Sequence, residues 1–182
     1  MSHRGRWVAT LLGMLILAAS GWQIARAASP PGSFGIAATE YAARREHVAR
    51  AAGGALVLMG GAGPAEEDRN DRPRADSDLM YLTGIETPGA VLALLPPGDP
   101  AGRQSILFLP RAREGMERWE TPWPGPDDAT RLASGVDAVA DVRALWSELE
   151  PAVRSAKEVR LAGRLDAPRN AALAEKVRAL KI

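Results

Sequence analysis

The residues best equipped for chemistry are six acids crowded between positions 66 and 78: Glu66, Glu67, Asp68, Asp71, Asp76 and Asp78. Two carboxylates held at a set separation in an apolar cleft could divide acid and base roles between them. Arg69, Arg72 and Arg74 are interleaved with these acids, and that composition reads as a self-compensated, solvated loop. Asp76-Ser77-Asp78 has the opening spacing of a calcium loop but lacks its glycine six positions along and its glutamate at twelve. Gly60-Gly61-Ala62-Gly63 follows an apolar run, as a phosphate loop would. No Lys-Ser/Thr comes after it, so it reads as a turn.

Other chemistries lack raw material. The chain has no cysteine, which excludes disulfides, thiolate zinc sites and a cysteine nucleophile. Its two histidines are His3 and His47, and His47 falls on a charged helical stretch that suits a surface residue. Neither G-x-S-x-G nor H-E-x-x-H occurs. Trp119 and Trp123 lie between Pro122 and Pro124 or beside them, in an irregular stretch where an aromatic either plugs the core edge or lines a partner's pocket. Basic and acidic residues number 23 and 22, a net charge of +1 that argues against a nucleic-acid partner.

These residues need elements to position them. A helix is predicted over 39–52, with Thr39 as cap and Gly53-Gly54 as stop. Strands are predicted at 55–59 (ALVLM), 79–83 (LMYLT), 90–95 (AVLALL) and 105–109 (SILFL), because each is a short apolar run bounded by breakers. Residues 84–89 and 96–102 carry hairpin-like turn chemistry. A long polar loop covers 62–77, and loops of that length are often functional. A short helix is predicted at 127–133, a weak strand at 136–139, and a helix capped by Asp141. In that helix Val142, Leu145, Trp146 and Leu149 form one stripe, which makes Trp146 core; Pro151 is expected to shorten it. A strand at 159–162 and a helix at 170–180, with Leu173, Val177 and Leu180 on one face, complete the list. Helices flanking apolar strands predict an α/β layered sandwich with a mixed sheet.

The first 27 residues read as an address. Arg4 and Arg6 precede 16 uncharged residues, 7–22, and Ala25-Arg26-Ala27 supplies a small-x-small exit. Those are the three parts of a secretory signal peptide, with cleavage after Ala27. The alternative is an uncleaved membrane anchor, for which the apolar run is slightly short. Cleavage would remove three arginines and no acid, turning the net charge to −2. Residues 28–38 are a Pro/Gly/Ser-rich lead-in to a domain over 39–182.

Several stretches, in order, carry a family likeness. They are Glu40-Tyr41-Ala42-Ala43-Arg44-Arg45; Arg74-Ala75-Asp76-Ser77-Asp78 running into Tyr81-Leu82-Thr83-Gly84; Glu86-Thr87-Pro88-Gly89-Ala90-Val91-Leu92; Leu107-Phe108 with Arg111 and Arg113; Glu117-Arg118-Trp119; and Gly135-Val136-Asp137. Together they resemble the N-terminal domain of aminopeptidase P, the Xaa-Pro aminopeptidases, related to prolidase and creatinase. The resemblance implies a three-layer α/β sandwich whose mixed β-sheet is flanked by helices; the apolar run LMYLT itself puts Y-L-T-G on an interior strand of it.

It also implies that catalysis belongs to a second, pita-bread domain. There two manganese ions, held by two Asp, one His and two Glu, supply the hydroxide that removes a residue preceding proline. This sequence has no counterparts of those ligands, so no metal or catalytic residue is expected in it. The partners implied are that C-terminal catalytic domain, further copies of the chain in a homo-oligomer, and a peptide substrate with proline second. By resemblance Trp119 matches a tryptophan that reaches a neighbouring subunit's active site. Asp68 matches a loop acid near substrate in an ungapped count from Arg74; Asp71 takes that place if the loop is shortened. The family's W-x-G-x-R-x-G reads Trp119-Glu120-Thr121-Pro122-Trp123-Pro124-Gly125, losing a glycine and an arginine. The expected function is an accessory domain, exported and truncated before its catalytic partner; the alternative is a stand-alone binding or assembly module.

Overall fold

A computed structural model describes residues 33–60, 76–111, 123–163 and 168–181. Helix α1 (Ala38–Ala51) is rich in Ala, Arg and Glu, which favour helix. Glu40–Arg44 and Glu46–Arg50 pairs run along its exposed side. The helix begins before Thr39, and the residue at its N-cap is Ala37, which offers no side-chain hydrogen bond. The chain leaves it through Gly53 and Gly54, both at positive φ.

Five strands form one mixed sheet: β1 (Leu56–Gly60), β2 (Val91–Leu94), β3 (Ser105–Leu109), β4 (Ala138–Asp141) and β5 (Val159–Ala162), in the order β4-β3-β2-β1-β5. The β1/β2 and β2/β3 pairs are antiparallel, and β1/β5 and β3/β4 are parallel. In register, Leu58 lies between Ala93 and Leu161, and Ile106 lies between Ala93 and Ala138. The three central strands are buried at every position, which is why they read as unbroken apolar runs instead of alternating ones. The strand expected at 136–139 starts two residues later. Val136 is buried in the core, and Asp137 accepts from the amides of Gln104 (2.9 Å) and Ser105 (2.8 Å), so neither is free to join the ladder.

The Y-L-T-G stretch is the main correction. Residues 79–83, predicted as an interior strand, lie in helix α2 (Ser77–Thr83). The Asp76 side chain accepts from the amides of Asp78 and Leu79 and so caps the helix. Gly84, at φ 67, closes it in the left-handed conformation. Leu79, Leu82 and Thr83 are buried, at helical spacing, while Met80 and Tyr81 are exposed. An apolar run this short carries no period of its own, and the cap residues decide its conformation. Residues 84–89 accordingly join a helix to a strand, and the hairpin lies between β2 and β3.

Helix α3 (Asp128–Ser134) is capped by Asp127, whose side chain accepts from Thr130 N at 2.8 Å. Asp141 caps a 3-10 turn (Val142–Ala144) that leads into α4 (Leu145–Ser155). Pro151 does not shorten α4: it sits exposed, and the helix runs on to Ser155. Helix α5 (Pro168–Leu180) has proline at its first position, where the missing N–H costs nothing.

The sheet is thus covered on both faces. On one, Leu145, Leu149 and Val153 of α4 and Leu173, Val177 and Leu180 of α5 pack on Leu56, Leu58, Val91, Ile106 and Phe108. On the other, Leu79 and Leu82 of α2, with Ile85, pack on Val57, Met59, Leu92, Leu94, Leu107 and Leu109. Full burial of each such side chain stabilises by about 1.5–3 kcal/mol. Trp146 packs against the first cluster but is only half-buried, a correction to its expected core placement.

Candidate functional site

The described residues of the Tyr41–Arg45, Asp76–Gly84 and Gly135–Asp137 motifs meet in the layer built by α1, α2 and α3. Along α1 the stripe Ala38, Tyr41, Arg45, Val48, Ala52 faces inward, with a cation at its centre. Arg45 is 4% exposed. Its guanidinium donates to the backbone oxygen of Leu82 at 2.8 Å, to that of Ser134 at 2.9 Å, and to that of Gly135. These carbonyls belong to the C-terminal ends of α2 and α3, where helix carbonyls lack partners and the helix dipole favours a cation. Burial pushes the Arg45 guanidinium down to about 10, and the negative charge of Asp137 partly offsets this.

Around Arg45 the other motif residues interlock. Arg44 donates to Glu40 and to the backbone oxygen of Tyr81, both at 3.0 Å, and its guanidinium lies 4.3 Å from the Tyr81 ring centre. Thr83 donates to Leu79 O at 2.7 Å and accepts from Ile85 N at 3.1 Å, which holds the helix end. A Cβ on Gly135 would come within 2.6 Å of Ala38 O, so glycine is required for α1 and α3 to meet. Asp137 also accepts from the Ser105 hydroxyl at 2.9 Å, tying the G-V-D stretch to the start of β3. Each of these side chains is thus engaged within the domain itself.

Trp119, Asp68 and Asp71 lie outside the described residues, as do Gly61, Ala62 and Gly63. What the structure does place is their anchors. Strands β1, β3, β4 and β5 all run in one direction, and only β2 opposes them. Segment 61–75, with both acids, continues from the carboxyl end of β1; segment 112–122, with Trp119, continues from just past the carboxyl end of β3. One strand separates β1 from β3, so both segments leave the same sheet edge roughly 10 Å apart. The carboxyl edge of an open α/β sheet is where ligands usually bind. There Gly60 N donates to buried Asn170 at 3.1 Å, and a Cβ on Gly163 would lie 3.4 Å from the Asn170 amide nitrogen and 3.5 Å from an Asp76 carboxylate oxygen. Thr87 donates to Pro124 O at 2.8 Å, a second tie between the approach to β2 and the chain beyond Trp119.

A cleft of about 920 Å³ opens at the opposite edge of the sheet, between the β2–β3 connection and the C-terminal end of α4. Arg103 bridges Asp99 and Glu148 on its wall. Hydrogen bonds from Arg103 hold the Asp99 carboxyl below its ordinary value. At the end of β4, Arg143 and then Arg111 do the same for Asp141. His47 is exposed, as expected.

The sequence profile described as aminopeptidase P, N-terminal domain, matches residues 41–161, most of the chain. The chain belongs to this family. Human Xaa-Pro aminopeptidase 3 is 37% identical over 73 residues, which are 37% of this chain and 14% of that protein. Among solved structures, Pseudomonas aeruginosa aminopeptidase PepP is 25% identical with a TM-score of 0.63, over 80% of this chain and 32% of that one. Aminopeptidase P from E. coli, in a low-pH form, shares the fold at a TM-score of 0.65 and 22% identity, over 78% of this chain and 32% of that one. The chain thus spans about a third of these solved relatives and far less of the human one. The mixed sheet with flanking helices is that of the family's N-terminal domain.

Among the described residues no group of three or more His, Asp or Glu side chains could hold a metal ion. Also among the described residues, no helix is long and apolar enough to cross a membrane.

Two features escaped the sequence reading. Arg45 was legible: it lies four residues after Tyr41 and three before Val48, so helical spacing puts it on the buried stripe. Asn170 extends the Leu173–Val177–Leu180 stripe by one turn in the same way, and a polar residue on such a stripe signals a buried hydrogen bond.

Proposed function

We propose that this chain is the accessory domain of an Xaa-Pro aminopeptidase-like metallopeptidase, supplying assembly and substrate-access surface to a catalytic domain. The observation that carries this reading is the shared carboxyl edge from which segments 61–75 and 112–122 both emerge. Trp119 and one of Asp68 and Asp71 would then approach a peptide bearing proline second, beside two manganese ions held by other polypeptide. The contact could be made within one subunit or across a homo-oligomer. Residues 1–27 would direct export to the periplasm or exterior, giving a mature chain that starts at Ala28.

Isolation of the protein from its own cells under mild conditions tests this. Cleavage of an Ala-Pro peptide with Mn²⁺ should co-elute with the chain, and N-terminal sequencing should begin at Ala28. A chain that elutes without any such activity would instead favour a stand-alone binding or assembly module.

A further inference from the structure

Arg45 does more than fill a buried site. Its acceptors come from two helices that have no covalent connection near it. Leu82 O ends α2, while Ser134 O and Gly135 O end α3. The guanidinium lies inside the protein, where these carbonyls accept its hydrogen bonds and the negative charge of Asp137 adds to its compensation. If either helix end withdraws, a buried cation loses compensation, a costly state that also penalises the remaining contact. The two helix ends are therefore favoured in place together or not at all.

We infer that Arg45 is a positioning residue that makes α2 and α3 one cooperative unit, so that the segments leading into them from the carboxyl edge stand on a common base. The purpose of the coupling rests on the function proposed above; the coupling itself does not. Segment 61–75 leads directly into α2 through Asp76, and the chain beyond Trp119 leads into α3 through Asp127. Coupling between two elements is reciprocal, so loosening either must loosen the other.

Native-state hydrogen exchange on the whole chain tests this. The reporters are the Gly84 amide, which donates to Met80 O, and the Gly135 amide, which donates to Arg131 O. The Leu95 amide, bonded to Gln104 O, serves as the reference for global opening. Asp76→Ala removes the cap of α2 only, and Asp127→Ala that of α3 only. With Arg45 present, each substitution should speed both reporters by a similar factor, roughly fivefold, beyond any change at Leu95. In an Arg45→Met background each should speed only the reporter on its own helix. Arg45→Lys, which keeps the charge but loses the fork, should weaken the coupling in between.

The inference fails if, with Arg45 intact, Asp76→Ala speeds Gly84 while Gly135 stays with the reference. That arm does not need the Arg45 variants to fold. Exchange reads the coupling whatever the chain's role, and co-elution of peptidase activity reads the role whatever the coupling, so the two failures are distinguishable.

Discussion

The phenol ring of Tyr41 fills the space where a side chain at Gly84 would begin. A Cβ there would lie 2.5 Å from both the ring carbon bearing the hydroxyl and the hydroxyl oxygen. Glycine is required twice over, because residue 84 also has φ 67. The first and second family motifs are thus fitted to each other across α1 and α2.

Gly84→Ala should destabilise the chain by about 2–4 kcal/mol, adding overlap with a buried ring to the ordinary left-handed penalty of about 1–2 kcal/mol. Gly102→Ala is the control: its φ is 69, close to that of Gly84, but nothing lies within 4 Å of the added carbon. It should cost only the backbone term. Urea unfolding of both variants checks the difference, and equal costs would contradict the contact.

Arg45→Met should cost about 3–5 kcal/mol, since it strands the carbonyls of Leu82 and Ser134, both buried, and that of Gly135, which is half-buried. Chemical denaturation reads it. Arg45→Lys should recover part of the loss, because an ammonium can reach some but not all of the acceptors.

Much of the architecture was legible in the sequence. β1, β2 and β3 stood out because strands buried on both faces must be short apolar runs, and α5 because its stripe repeats at helical spacing. Residues 79–83 were misread for the same reason: LMYLT is apolar enough for a strand, and its helical state is set by Asp76 before it and Gly84 after it. Trp146 shares a stripe with Leu145 and Leu149, yet a stripe has edges, and Trp146 is on one. Within the candidate site, the motif order pointed to the family but not to the use of its residues. Arg44 and Arg45 look alike on paper; one stacks on Tyr81 near the surface, and the other is buried among carbonyls. Only the fold separates them.

Trp146→Ala should therefore cost about 1–2 kcal/mol, below the ~3–5 kcal/mol of a fully buried aromatic. Leu149→Ala, one turn along and fully buried, should cost about 2–5 kcal/mol. Thermal unfolding should rank them in that order.

Acid should unfold the chain partly through Asp99 and Asp141. Both carboxyls are held below their ordinary value in the folded chain by arginine hydrogen bonds. The unfolded state then binds protons more readily in that window, so the stability they contribute is complete above the ordinary aspartate range and is lost as pH falls through their depressed values. Both carboxyls are largely covered by their arginines, but the pairs lie at the protein surface, where solvent screens them, so the effect is modest. Melting temperature measured against pH should show Asp99→Asn and Asp141→Asn below the parent at neutral pH, with the gap closing in acid. A gap that widened in acid would reverse the sign.

The central claim we propose is that the family motifs in this chain build a scaffold, and that the water-activating metals of the family are held outside this domain. Titrating Mn²⁺ into the purified chain with an Ala-Pro peptide tests it most directly. The account predicts no release of the N-terminal residue at any metal concentration. Metal-dependent cleavage before proline by the 182-residue chain purified to homogeneity, with no other polypeptide present, would contradict it.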